Sequence, residues 1–318
     1  MTIIFLLVTL QDPLKTEDGK APVHKVLESK KDVYSMAASP DGKTLALGTS
    51  DEVLLVGFED GKLIRRIEPK SGAVRGLCFS PDGAFLAAAV IGGVFLFDAP
   101  SGKLLLNAKG HPSPMSGGEG AYSIGYCGEW LLTVSRDESN LRSWSLKDGS
   151  AGASVDLKIK DPSHVACAGD TVAVMGRDGE LVALGRDLKE LWRKSGLGMG
   201  AGVGLSPDGK RIAAGGSMGD VPVWGAAKGE ELGRLPHYGD RCMGGIAWTS
   251  DGSRLVTAAI RQGGVRVWSA TEFDKPPVDL DAGFQAGPDV DRSVVLGAGG
   301  KLAAVASGST VKIYRLPE

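Results

Sequence analysis

Four histidines (His24, His111, His164, His237) and four cysteines (Cys78, Cys127, Cys167, Cys242) are the residues of this 318-residue chain best suited to acid–base, nucleophilic or metal chemistry. Neither set has the spacing such chemistry needs. There is no CxxC pair, and no HExxH, GxSxG or Walker-type loop. A zinc ion would have to gather its ligands from distant parts of the chain. Each cysteine falls in or beside an apolar segment, so the plain reading is four inert, buried thiols. So few, widely separated cysteines in a chain of this size also argue against a disulfide framework. Gly196-Leu197-Gly198-Met199-Gly200 has the glycines of a phosphate cradle but not the strand–loop–helix around it. The residues therefore predict no enzyme, no metal and no cofactor.

Charge excludes more. With 36 basic and 38 acidic side chains the net charge is −2, and no basic run is interleaved with aromatics. A general attraction to nucleic acid is not expected. Forty-seven glycines in a chain that is 42% hydrophobic mean many tight turns around a core rather than disorder. Met1–Leu10 is apolar but too short for a membrane span, which needs about 20 residues. It resembles the hydrophobic part of an export signal, yet lacks a Lys or Arg before the run and a small-x-small site after it. An exported and a cytoplasmic chain both remain open.

The elements that would position any site come from a repeat. In Val74–Lys103 an apolar run meets Ser80-Pro81-Asp82-Gly83, then Phe85–Val90 runs almost without interruption, then Val94-Phe95-Leu96-Phe97 follows two glycines. Proline presets φ, Asp bonds the backbone just beyond, and Gly accepts positive φ, so the tetrapeptide is a tight turn between strands. The turn glycine recurs at Gly42, Gly83, Gly128, Gly169, Gly209, Gly252 and Gly299, at intervals of 41, 45, 41, 40, 43 and 47 residues. That is the period of a four-stranded propeller blade, seven times over. Third strands end on bulky residues such as Phe97, Trp144, Trp224, Trp268 and Tyr314, placed to wedge between blades. Pro222 falls inside one of them and predicts a bulge or a lost ladder bond.

The seventh unit lacks a fourth strand, while Val23–Leu27 follows a turn-like Glu17-Asp18-Gly19-Lys20 that matches Glu59-Asp60-Gly61-Lys62. The reading is an all-β, seven-bladed propeller of four-stranded antiparallel blades, closed by an N-terminal strand that completes the last blade. Residues 1–15 form an apolar segment outside it, and 16–318 are a single domain.

The turns SPDG at 39–42, 80–83 and 206–209, TSDG at 249–252, and the aromatic third-strand ends make the chain resemble the WD-repeat β-propellers over roughly residues 16–318. The Trp-Asp pair itself is absent; Phe97-Asp98 is its nearest echo, and the Gly-His pair survives once, as Gly110-His111. The repeats are degenerate, as in many bacterial chains. The resemblance implies a rigid platform for a protein or peptide partner. It also implies a buried network that blade 3 alone could assemble, from His111, Asp137, Ser135 or Thr133, and Trp144. In the family, one face of the disc carries the fourth-to-first and second-to-third strand loops.

Several candidate binding residues fall in such loops. Long loops hold His111 and Met115 (109–121) and Phe284 (272–291); a shorter one holds His237, Tyr238 and Arg241. Arg136, Arg177 and Arg261 occupy second-to-third-strand turns of three blades and could ring that face. Solvated turn arginines beside Asp137 and Asp178, and loops that merely cover the rim, are the plainer readings. The expected function is a monomeric, non-catalytic scaffold for a protein or peptide. The rival is a lactonase-like propeller hydrolase with a metal in the channel, which would need acidic or histidine ligands converging on the axis.

Overall fold

A computed structural model describes residues 14–18, 23–70, 72–90, 93–109, 121–136, 138–216, 220–236, 243–259, 264–282, 284 and 294–317. They form seven antiparallel sheets, each an up-and-down meander. Blade 1 runs Ser35–Ala38, Thr44–Gly48, Val53–Gly57 and Leu63–Ile67; blades 2 to 6 follow at 74–109, 123–156, 162–194, 200–235 and 243–281. Innermost strands neighbour one another in circular order, the seventh lying beside the first. Among the described residues the helical element is one 3-10 turn, Ala298–Gly300, and no helix is long and apolar enough to cross a membrane.

The turn motif forms as its chemistry dictates. In blade 1, Ser39 Oγ donates to Asp41 Oδ1 at 2.6 Å, and Asp41 Oδ1 accepts the Lys43 amide at 3.0 Å. Ser39 Oγ in turn accepts the Thr44 amide at 2.9 Å, and Gly42 sits at φ 68°. Ser80, Ser206 and Thr249 repeat this pattern with Asp82, Asp208 and Asp251. In these four blades the first-to-second-strand hairpin is thereby fixed by its own side chains.

Uninterrupted apolar second strands follow from burial on both faces. Leu45 and Leu47 point into the junction of blades 7 and 1, while Ala46 points into the junction of blades 1 and 2. Leu86, Ala88 and Val90 likewise serve one junction and Ala87 and Ala89 the next. The core is thus seven apolar clusters, one per junction. The bulky third-strand ends fill them: Phe97, Trp144, Trp224, Trp268 and Tyr314 are all buried. Burial falls towards the rim, where Ala151–Asp156 is almost wholly exposed. In all seven blades the register slips between third and fourth strands, which bends the outer strand and adds twist.

Val23–Ser29 pairs with Thr310–Arg315, so the N-terminal strand completes blade 7, with Leu27 wholly buried against blade 1. One addition was not expected: Leu14–Asp18 pairs with Lys25–Ser29 and makes blade 7 five-stranded. At Pro222 the ladder between second and third strands stops at Ala213↔Val223 after three pairs, where blade 1 has five, because proline offers no N–H.

The reading of four isolated thiols needs correction. Cys127 and Cys167 are joined by a disulfide with Cα atoms 5.5 Å apart, and Cys78 is a buried thiol outside that bond. The two are separated by 40 residues, one repeat period. A period in sequence is one step around the ring, and the first strands of blades 3 and 4 lie side by side, so equivalent positions become neighbours. Cys242 lies outside the described residues.

Candidate binding face

The loop face is built where first strands begin and second strands end. Tyr34 lies five residues before Ser39, and Arg75 five residues before Ser80, so they hold the same position in blades 1 and 2. Strand pairing puts Tyr122 at that position in blade 3, since Ser123↔Val134 corresponds to Ser35↔Gly48. Tyr34 and Arg75 are half-buried there, while Tyr122 is buried. The Arg75 guanidinium lies 4.5 Å from the centre of the Tyr34 ring, and that of Arg136 lies 3.5 Å from the Tyr122 ring and donates to its hydroxyl. Blades 2 and 3 approach closely here because Gly76 lacks a side chain; a Cβ there would sit 3.2 Å from Ser123 Cα. Cation–π contact of this kind contributes about 0.5–2 kcal/mol per pair and holds each guanidinium over its ring.

Next to these residues, charge is balanced internally. Glu52 is buried and is held by Lys31 Nζ at 3.5 Å and Arg66 Nε at 2.8 Å. Lys31 also donates to Asp51 at 2.6 Å, and that hydrogen bond holds the Asp51 carboxyl below its usual range and raises the Lys31 ammonium. In blade 4, Asp178 accepts the Lys160 and Glu180 amides and so fixes its turn.

Of the residues singled out from sequence, His111, Met115, His237, Tyr238, Arg241 and Arg261 lie outside the described residues. Arg136 is half-buried on Tyr122 and is not a solvated turn residue. Arg177, in the equivalent turn of blade 4, is exposed and reaches Met199 Sδ at 3.9 Å, a contact separate from that of Arg136. Phe284 is half-buried and turned inward. Its ring meets Tyr314 edge-on at 6.5 Å, with Lys312 Nζ at 4.5 Å, and its amide donates to Asp281. Asp281 also accepts from Lys312 at 2.9 Å and from the Tyr314 hydroxyl at 3.2 Å. Burial, and then the Asp281 charge, push the Tyr314 phenol up, so it stays a donor. Sequence reasoning missed Tyr34, Arg75 and Tyr122; their common offset from the turn was the available signal.

Of the buried network expected in blade 3, the tryptophan–threonine bond is seen, and blade 6 has the same bond. Trp144 Nε1 donates to Thr133 Oγ1 and Trp268 Nε1 to Thr257 Oγ1, each at 2.8 Å and fully buried. Leu131↔Trp144 and Leu255↔Trp268 are equivalent pairs, so blade 6 reproduces blade 3 with a threonine two residues on. His111 and Asp137, the other expected members, lie outside the described residues.

Comparison with known families matches residues 61–93 to the family described as WD domain, G-beta repeat. The matched stretch holds Leu63–Ile67 of blade 1 and then Val74–Phe79 and Phe85–Val90 of blade 2. The sequence repeat is therefore offset by one strand from the blade, the same offset that leaves blade 7 to be completed from the N-terminal side. No curated protein matches the chain at a significant level.

Proposed function

Because the chain is a WD-repeat β-propeller, we propose that it is a non-catalytic scaffold that holds a protein or peptide on its loop face. WD-repeat propellers commonly mediate protein interactions, and a closed ring suits that task because its binding surface is already ordered before the partner arrives. The observation that carries the reading is the set of half-buried Tyr34, Arg75 and Arg136 on the loop face, with Arg75 stacked on Tyr34 and Arg136 braced by the buried Tyr122. Tyrosine and arginine are the residue types that most often anchor protein interfaces, and stacking spares them part of the rotamer entropy that binding would otherwise cost. The described ends of the first strands are small or apolar, as at Ala38, Ala166, Val203 and Ala247, which is poor ground for a hydrolytic metal centre.

The test is affinity capture from native lysate with wild type, a Tyr34→Ala, Arg75→Glu variant of the loop face, and an Asp60→Lys control on the opposite face. The expected outcome is a partner retained by wild type and control and lost by the loop-face variant. Equal retention by all three would show the face to be wrong.

A further inference from the structure

The Cys127–Cys167 disulfide stands at the inner end of a groove that opens between blades 3 and 4. The groove follows from a small residue on the blade 3 fourth strand. At the equivalent place Leu106 of blade 2 packs on the next blade's turn, where a Cβ on Gly149 would lie 2.5 Å from it. Trp192 of blade 4 packs in the same way on Gly229, and Arg65 of blade 1 on Gly102. The pairs Leu55↔Arg65, Leu96↔Leu106 and Ala183↔Trp192 correspond. In blade 3 the corresponding residue is Ala153, whose amide donates to Ser143 Oγ at 2.8 Å. The residue before it is small as well, Gly152 where blades 2 and 4 have Leu105 and Leu191. Leu188 of the blade 4 turn, at φ 60°, lines the far side, and about 250 Å³ stays open.

Trp130, Leu132, Ser143, Ala153 and Leu188 line the groove, and Cys127 on the innermost strand closes its inner end. Both cysteines belong to the apolar cluster of this same junction, so the two sulfurs lie between the blades and not in the central channel. The Trp130 ring lies across Gly152, where a Cβ would be 2.6 Å from it, and forms an outer wall. The rim carries both signs, Glu129 and Asp187 against Arg186. Arg186 pairs with Asp170 and Asp187 with Lys189, so the entrance presents no field of one sign. A small neutral molecule is the natural visitor.

We infer that Cys127 is a thiol-exchange site of the folded protein, reached through this groove by a low-molecular-weight thiol while the ring stays closed. The thiolate R–S⁻ attacks Cys127 Sγ, a bond forms between them, and the S–S bond breaks with its electron pair leaving on Cys167 Sγ. A second thiolate attacks the R sulfur of this mixed disulfide, which releases R–S–S–R and the Cys127 thiolate. Both protein thiolates then take up protons from water. The protein's bond is reduced and two small thiols are oxidised. Exchange at a disulfide depends on access as well as on thiolate chemistry, and the room beside Ala153 supplies that access. Once the bond is open, blades 3 and 4 have neither a large side chain at that position nor a covalent tie. The redox state of the surroundings thereby sets how firmly these two blades are joined. The inference concerns this junction alone and does not depend on the reading given to the loop face.

The test follows reduction of the oxidised full chain by 2-mercaptoethanol, without denaturant and in urea below the unfolding transition. Samples are quenched by alkylation and mapped by mass spectrometry. The expected rate is proportional to thiol concentration and unchanged by the urea, because attack on the folded form exposes no new surface. The first product is expected to carry the mercaptoethanol adduct on Cys127 and the alkyl label on Cys167. Ala153→Leu, which restores the side chain that blade 2 has, is expected to slow the reaction about tenfold by closing the groove. A rate that climbs with urea as unfolding does would show that the bond opens only when the chain does, and would overturn the inference. So would a plateau at high thiol, a first adduct on Cys167, or an Ala153→Leu chain reduced as fast as wild type. If that variant folds poorly, the urea series and the adduct map on wild type decide the matter by themselves.

Discussion

Replacing Cys127 and Cys167 together by alanine cuts the one covalent link between neighbouring blades seen among the described residues. The cost can be worked from the loop that the bond closes. With 40 residues between the two sulfurs, the chain-entropy relation gives about 13 cal/mol/K, or ~4 kcal/mol at 25 °C, of restriction lifted from the unfolded chain. A chain of this length unfolds with an entropy of roughly 0.6 kcal/mol/K near its midpoint, so Tm is expected to fall by about 6 °C. The assay is a thermal melt of oxidised wild type, wild type held in reductant, and the double variant, with a non-reducing peptide map of the starting material. The last two are expected to melt together and below the first. Because such bonds persist only where thiols are not kept reduced, protein made in a reducing cytosol is expected to join the lower pair until it is oxidised. A peptide map showing Cys127 and Cys167 free after oxidation would refute the pairing. A mapped bond whose removal leaves Tm unmoved would refute the entropic reasoning.

The closing strand and the acid limb of stability give two further expectations. Leu27 is fully buried between blades 7 and 1, and Leu27→Ala is expected to cost about 2–5 kcal/mol and to expose the N-terminal strand to limited proteolysis. Unchanged proteolysis would mean that the ring is held shut elsewhere. Asp251, held by hydrogen bonds from Thr249 and Ser253, has its carboxyl lowered to about 2 in the folded chain, against about 3.9 when unfolded. A depressed folded value means that the unfolded form takes up protons first. The stabilisation is therefore complete above the unfolded value and lost as pH falls towards 2. Asp251→Asn is expected to flatten that decline in urea midpoints measured between pH 6 and 2.5, and an unaltered decline would count against the turn's role.

What was legible in the sequence was whatever repeats. The turn glycines and their Ser-Pro-Asp partners recur because every blade needs the same hairpin, and the bulky third-strand ends recur because every junction needs filling. Pro222 was legible for a local reason, its missing N–H. Leu14–Asp18 was not: LKTED has no alternating apolar pattern, since an outermost strand added to an edge buries little and is specified by its backbone. The disulfide was hidden because cysteines were weighed by their separation along the chain rather than by their shared phase within the repeat. Tyr34, Arg75 and Tyr122 share a phase in the same way, yet differ in residue type. A search for repeated letters therefore passes over them, although the ring sets them side by side. Trp268 with Thr257 is hidden in the sequence because the family's histidine–aspartate signature has no counterpart in blade 6 to mark the pair.

The clasp in blade 7 joins partners far apart in time as well as in sequence. Thr310 bonds Glu28 across 282 residues, a stretch that takes roughly 15–60 s to synthesise at about 5–20 residues per second. Throughout that interval Leu27, Met36, Leu45 and Phe58, all destined for the same junction, wait on a growing chain with nothing to cover them. The ring is thus most vulnerable to misassociation at its seam, in the moments before the last strand leaves the ribosome.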